Sequence, residues 1–456
     1  MLSVKPLSKH FREYVTNRLE GEARHVVASA DVPSWALPNL GFDSLTYKQK
    51  QQLVSSAAKG GRLQTLQWAR EQGYKLDRSV SEAAAEGGHL AVLQWLRQEG
   101  CPWGPKTCEA AARGGQLEVL QWALQSGCPG SSRVCSLAAA SGNFELLQCA
   151  RTNGCPWDAS TCAAAAGSGN LLMLQWARAR VCFWDADTCE AAAAGGHMEM
   201  LQWARAEGCR WNAGTCIAAA RGGHLELLQW ARRKGCPWNV HTCAAAAEGG
   251  HLAVLQWAKS NGCPWDENTC RAAAGAGHLA LLQWALDNGC YWDEPYCIAA
   301  ARGGHLEVLQ WASGYGCPWD QWACQAAAAA GGHLGVLQWL RSEDCPWSRH
   351  TCAAAAQHPL PLLQWAVENG CDWDDDVCAA AARAGQLDVL KWAHEEGCPW
   401  NAETCWEAAA GGHFELLQWA RKQGCPWFAD EVCQVAASRG HVEIVQWVKK
   451  RCWCYR

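Results

Sequence analysis

The stretch Cys236-Pro237-Trp238-Asn239-Val240-His241-Thr242-Cys243-Ala244-Ala245-Ala246-Ala247-Glu248-Gly249-Gly250-His251-Leu252-Ala253-Val254-Leu255-Gln256-Trp257 recurs, nearly unchanged and in register, from about residue 51 to the end of the chain. Its last tryptophan falls at 68, 95, 122, 176, 203, 230, 257, 284 and 311 on a 27-residue grid, with Cys149 in the slot where one is missing. Single-residue slips then carry it to 339, 365, 392, 419 and 447, which makes fifteen units. A fixed period of this size marks a stacked-repeat architecture, because one unit cannot bury its own apolar face and needs neighbours. The 456 residues therefore read as one elongated array rather than as several globules of ordinary size.

Within the unit, Asn239 (Asp158, Asp185, Asp266 and Asp293 in sister units) precedes a helix-forming run and is placed to accept backbone N–H groups as an N-cap. Cys243 and the alanines after it form a helix A of little bulk that can approach its neighbours closely. Gly249-Gly250 ends it, since glycine accepts a left-handed C-cap. His251 opens helix B, in which Leu252, Leu255 and Trp257 or Ala258 recur at helical spacing. Asn261-Gly262 stops helix B, and Pro264 in the return loop forbids its continuation. Nothing alternates as a strand does. The reading is an all-α repeat solenoid of about fifteen helix-turn-helix units. Burial of about 150 to 250 Å² per indole, at about 25 cal/mol per Å², assigns the tryptophans about 4 to 6 kcal/mol each as an upper bound. They are expected to dominate the interfaces between units.

The pattern Thr-Cys-x-Ala-Ala-Ala-x-Gly-Gly-His-Leu-Glu-Val-Leu-Gln-Trp-Ala-x-x-x-Gly-Cys resembles the ankyrin repeat, whose units run Thr-Pro-Leu-His-x-Ala-Ala, Gly-His-x-Glu-Val-Val and Gly-Ala-Asp-Val-Asn. Ala219-Ala220, Gly223-His224, Glu226 and Gly235-Cys236 fall on matching positions, and Trp230 on one of the helix B leucines. The unit is shorter than the usual length of about 33, and the shortfall lies between Trp238-Asn239 and Cys243, where the family makes its β-hairpin finger. The resemblance thus implies ankyrin-like units with truncated fingers, and a protein-binding scaffold that uses the helix A face.

Composition narrows the function further. The net charge is −5, with Lys and Arg scattered among Asp and Glu, so no nucleic-acid footprint is visible. No stretch approaches a membrane span, and the N-terminus lacks the apolar core of a secretory signal. The expectation is a cytoplasmic or nuclear monomer that binds an unidentified protein, with no nucleic-acid and no membrane partner. Of 29 cysteines, 26 form two columns, one opening the Cys-Pro-Trp loop and one in helix A. Stacked helices lie about 8 to 10 Å apart, beyond the reach of about 7 Å between Cα atoms in a disulfide. Cysteines of one column are therefore not bridgeable along the stack, and they read as small hydrophobes in a reducing compartment.

Catalysis needs one departure from the repeat that brings a nucleophile to a base, and none stands out; the chain reads as no enzyme, with no cofactor and no metal. The Gly-His histidines (His89, His197, His224, His251, His278, His305, His333, His413, His441) are turn residues by position. A thiol-rich metal-binding protein is the first alternative, although Cys236 and Cys243 are spaced more widely than in a zinc knuckle.

Residues 1–50 leave the pattern and read as an N-terminal helical cap with a degenerate repeat around Trp35; the array is 51–448, and 449–456 is a basic tail. Pro6-Leu-Ser-Lys-His-Phe-Arg-Glu-Tyr14 faintly resembles the last helix of an F-box. This gives the second alternative, a substrate receptor of a ubiquitin ligase. Binding residues are sought where units differ. The position after the helix A cysteine and the one four residues on share a helix face. They supply the candidates Glu109, Arg113, Glu190, Ile217, Arg221, Arg271, Ile298, Arg302, Arg383 and Trp406, with the isoleucines and the tryptophan as exposed anchors.

Overall fold

The computed structural model describes residues 47–290, 294–314 and 321–452, and among these it holds thirty helices and no strand. They alternate as fifteen pairs, from Tyr47–Lys59 with Leu63–Glu71 to Ala429–Ser438 with Val442–Cys452. The chain divides into two compact units, one up to Ala219 together with Glu226–Pro237, the other Ala220–Leu225 together with everything from Trp238 onward. In each, the first helices of successive pairs pack on one another, and each second helix lies on its own first helix. This is an all-α repeat solenoid. No helix among the described residues is long and apolar enough to cross a membrane. Residues 1–46, with the F-box-like stretch and Trp35, lie outside the described residues, as does Asp293.

Local chemistry sets each pair. Asn239 has extended backbone, its Oδ1 accepts from the His241 N–H at 3.1 Å, and its own N–H donates to Thr242 Oγ1 at 3.3 Å. Asp158, Asp185 and Asp266 cap their helices through the same side-chain bond, each carboxylate accepting from the N–H two residues on. Helix Val240–Glu248 then buries Thr242, Cys243 and Ala245 to Ala247. Gly250, at φ +75°, turns the chain into Leu252–Ser260. The first helices meet so tightly that a Cβ on Gly249 would stand 2.4 Å from the carbonyl oxygen of Arg221, one unit back.

The core differs from the expectation in one respect. Leucines and alanines, not indoles, are the sealed residues: Leu228, Leu255, Leu282 and Ala258 are fully buried, whereas Trp257 and its sister tryptophans are half-buried. At 3.6 residues per turn Trp257 lies about 100° from the middle of the enclosed stripe of Val254, Leu255 and Ala258, so it lies on the flank. There it meets Trp238 of the same unit edge to face, centroids 5.8 Å apart. Trp103–Trp122, Trp184–Trp203 and Trp427–Trp447 repeat the pair at 5.5, 5.7 and 5.6 Å. Two stretches depart from the repeat, Gln357-His358-Pro359 in place of Gly-Gly-His and one extra alanine within Ala326 to Ala330. Gln357-His358-Pro359 shortens the preceding helix to Arg349–Ala355, with Pro359 taking the N-cap slot of Leu360–Glu368, and the extra alanine lengthens Gln321–Gly331.

Candidate functional site

The outward positions of the first helices form the candidate face, and the ten residues picked from the sequence divide between the two units. Glu109, Arg113, Glu190 and Ile217 belong to the first; Arg221, Arg271, Ile298, Arg302, Arg383 and Trp406 belong to the second. Arg113, Arg221, Arg271, Arg302 and Arg383 are exposed. Ile217, Ile298 and Trp406, expected to be exposed anchors, are half-buried, because the Cys and Ala beside them draw adjacent first helices close.

Several of the arginines already have partners. Lys59, Glu86 and Arg113, one per unit, form a row in which Glu86 takes Lys59 at 2.9 Å and Arg113 at 3.8 Å. Arg221 meets Glu248 at 3.2 Å, and Arg383 meets the buried Glu407 at 2.5 Å. The exposed Lys59–Glu86–Arg113 and Arg221–Glu248 contacts contribute about 0 to 1 kcal/mol each, little enough for a partner's charge to displace, whereas the Arg383 pair has its carboxylate buried. Glu109 accepts from Ser131 Oγ at 2.7 Å, and Arg271 donates to Asn268 Oδ1 at 2.6 Å.

The turn histidines have a structural task. His251 Nε2 lies 2.9 Å from the carbonyl of Arg221, His278 Nε2 3.1 Å from that of Glu248, and His413 Nε2 3.0 Å from that of Arg383. Each ring reaches back one unit and satisfies an orphan carbonyl at the end of a first helix. Where histidine is replaced, Gln116 and Gln386 donate through Nε2 to Glu86 and Gln357 at 3.4 and 3.2 Å. The slot selects an N–H donor. His251→Ala should accordingly cost about 1 kcal/mol in local stability, read by hydrogen exchange of the neighbouring helices, and His251→Gln should restore most of it; equal losses in both variants would count against the tie.

The cysteine columns meet each other between successive units, a contact that the sequence reading, which compared cysteines along one column or within one unit, did not anticipate. The helix cysteine of one unit lies against the loop cysteine that opens the next, as in Cys108 with Cys128 and Cys189 with Cys209. Cys324 and Cys345 stand 2.8 Å apart, and Cys270 and Cys290, with Cα atoms 6.9 Å apart, are joined as a disulfide. The loop thiol also donates to the N-cap carbonyl of the preceding unit, Cys209 to Asp185 at 3.2 Å and Cys398 to Asp374 at 3.3 Å. The sulfurs thus come in twos, half of a structural zinc set. Among the described residues, the group of three or more candidate ligands within reach of one another is Asp374, Asp375 and Asp376, an acidic first turn whose Asp374 caps its own helix.

Burial raises the Cys101, Cys149 and Cys155 thiols, and burial followed by the Cys155 charge pushes Cys135 up to about 12. A pKa above the unfolded value means that the folded chain holds its proton longer. The associated stability is complete below about pH 9 and is lost as pH rises towards 12, at about 1.4 kcal/mol per unit and group. Melting of the chain should therefore fall steeply above pH 9, and Cys135→Ala should flatten that fall; an unchanged slope would show that Cys135 is not a source of it.

A further column went unread in the sequence although its signal, a basic residue six positions before most of the loop tryptophans, was present. Arg97, Arg151, Arg178, Arg205, Arg341 and Arg421 lie 4.1 to 4.6 Å over the rings of Trp103, Trp157, Trp184, Trp211, Trp347 and Trp427. Lys259 covers Trp265 at 3.6 Å, and His394 stacks on Trp400 at 4.0 Å. Arg341 also donates to the Cys345 carbonyl at 3.2 Å, and Arg151, Arg205 and Arg421 to those of Cys155, Cys209 and Cys425. The return loop is clamped at both ends.

The first helices Ala402–Ala410 and Ala429–Ser438 enclose an open pocket of about 350 Å³, lined by Ala402, Glu403, Trp406, Phe428, Glu431 and Val432. Phe428, 63% exposed, occupies an N-cap slot that Asp or Asn fills in most sister units, and its helix has no side-chain cap.

No model of a known protein family matches the chain, and no curated protein sequence matches it. Among solved structures it is similar to the pentatricopeptide repeat protein PPR10 in complex with an 18-nucleotide psaJ RNA element (TM-score 0.36, 14% identity, 97% of this chain and 79% of that one). It is also similar to PPR10 from maize (0.31, 13%, 97% and 88%) and to the human ASB11 ankyrin repeat domain (0.29, 19%, 34% and 84%). The fifteen helix pairs make the chain a helical repeat protein, and its likenesses include pentatricopeptide as well as ankyrin repeats. The exclusion of nucleic acid made from the sequence is corrected: a protein similar over most of this chain was solved bound to RNA. The physical reason is that absence of Lys/Arg runs is a poor criterion in a repeat protein, where cations one period apart align in a row without being neighbours in sequence.

Proposed function

We propose that the chain is a non-enzymatic scaffold of the ankyrin kind that holds another protein against the outward face of its first helices. The observation that carries this reading is the contrast between two sets of positions on one helix. The buried Thr, Cys and Ala recur from unit to unit, while the outward position after the cysteine changes among Glu109, Glu190, Ile217, Ala244, Arg271, Ile298 and Trp406. A face whose chemistry varies along the array while its supports stay the same suits recognition of an extended, irregular partner surface. Arg113 and Arg221, exposed and held by weak surface ion pairs, are available to such a partner.

The test is affinity capture with the full chain from native lysate with and without nuclease treatment, set against a variant carrying alanine at Ile217, Ile298 and Arg302. Proteins recovered by the wild type and lost by the variant support the reading. Recovery that nuclease abolishes, or that the substitutions leave unchanged, overturns it.

A further inference from the structure

Two departures from the repeat, made independently in neighbouring units, converge on one place. Trp406 is the aromatic member of a column that elsewhere holds Ala, Glu, Ile, Arg, Ser or Gln, and Phe428 is the aromatic member of a capping column that elsewhere holds Asp, Asn, Ser or Gly. Phe428 forgoes the N-cap hydrogen bond and leaves its ring largely in water; neither change serves the fold. Both rings line the same pocket, over the buried Val432, and two exposed carboxylates, Glu403 and Glu431, line it with them. Each carboxylate sits in the first turn of its helix, where it also suits the helix dipole. Neither makes an ion pair among the described residues; the nearby Arg383 is spent on Glu407 at 2.5 Å.

Aromatic faces beside unpaired carboxylates make a receptor for a cation: the ring quadrupole attracts it, and the carboxylates neutralise it. Guanidinium fits better than ammonium, because its plane stacks on a ring while its edge donates to a carboxylate. The pocket is at the small end of the range of about 300 to 1,000 Å³ for ligand sites, suited to one long side chain. The two carboxylates oppose a phosphate backbone.

We propose that the pocket formed by Trp406, Phe428, Glu403 and Glu431 is a specificity site that takes an arginine side chain from a basic segment of a partner protein. The inference rests on the protein-binding reading above and names the chemistry of that partner.

The experiment uses the full chain and a fluorescein-labelled peptide of Gly-Arg-Gly repeats, with the same peptide carrying citrulline in place of arginine, followed by anisotropy at low ionic strength. The arginine peptide should bind roughly tenfold more tightly than the citrulline peptide. Trp406→Ala and the surface pair Glu403→Gln with Glu431→Gln should each remove most of that difference, with unchanged far-UV circular dichroism. Equal binding of the two peptides, a difference that survives both variants, or displacement of the arginine peptide by a single-stranded oligoribonucleotide in the wild type but not in the variants, overturns the inference. The capture experiment above leaves these four residues intact, so each idea fails on its own evidence.

Discussion

Gly250→Val is expected to destabilise its part of the array by about 3 kcal/mol or more. Gly250 has φ +75°, where a β-branched residue is strained by about 1 to 3 kcal/mol. A Cβ there would also stand 2.6 Å from Cε1 of His278 and displace the ring from the Glu248 carbonyl, 3.1 Å away, at a further cost of about 1 kcal/mol. Gly262 supplies the control. Its φ is +79°, yet nothing lies within 4 Å of a Cβ built on it. Gly262→Val should therefore show the backbone strain alone. Hydrogen exchange of helices Val240–Glu248 and Glu267–Gly275 measures both, since repeat arrays open locally rather than all at once. Equal losses at the two glycines would mean that the histidine packing contributes nothing.

The second large effect concerns which apolar residue holds a unit together. Leu255→Ala should cost about 3 to 4 kcal/mol, because Leu255 is fully enclosed and its removal leaves a cavity between the paired helices. Trp257→Ala should cost less, about 2 kcal/mol, although the side chain is larger: it is half-buried, and its loss can be filled by water and by movement of Trp238. Local exchange rates in the two variants decide the order. The reverse order would return the indoles to the place that composition alone gives them.

The fold was legible because each element is announced fifteen times. Asp158, Asp185, Asn239 and Asp266 mark helix starts by their chemistry, and the paired glycines mark the ends, so helix, turn and helix follow from local rules. Rotation about the second helix was not legible. Leu255 and Trp257 both belong to an apolar pattern, and only the neighbouring helices determine which of them is enclosed. The pairing of cysteines between columns depends on how far one unit is offset from the next, which no spacing within a column records. Trp406 was found as a departure from its column. Phe428 was not, because the capping column was read for its polar members and the one apolar exception passed unremarked.

The histidine tie has a consequence for how such a gene changes length. Bonds between successive repeats join residues about one period apart, such as His251 to Arg221 and Cys209 to Asp185. Within either half, excising or duplicating a whole period brings a new histidine to an equivalent carbonyl and a new cysteine to an equivalent cap. Unequal crossing-over between near-identical codon blocks can then alter copy number while every junction reassembles, and only events out of step with the period leave a donor facing nothing.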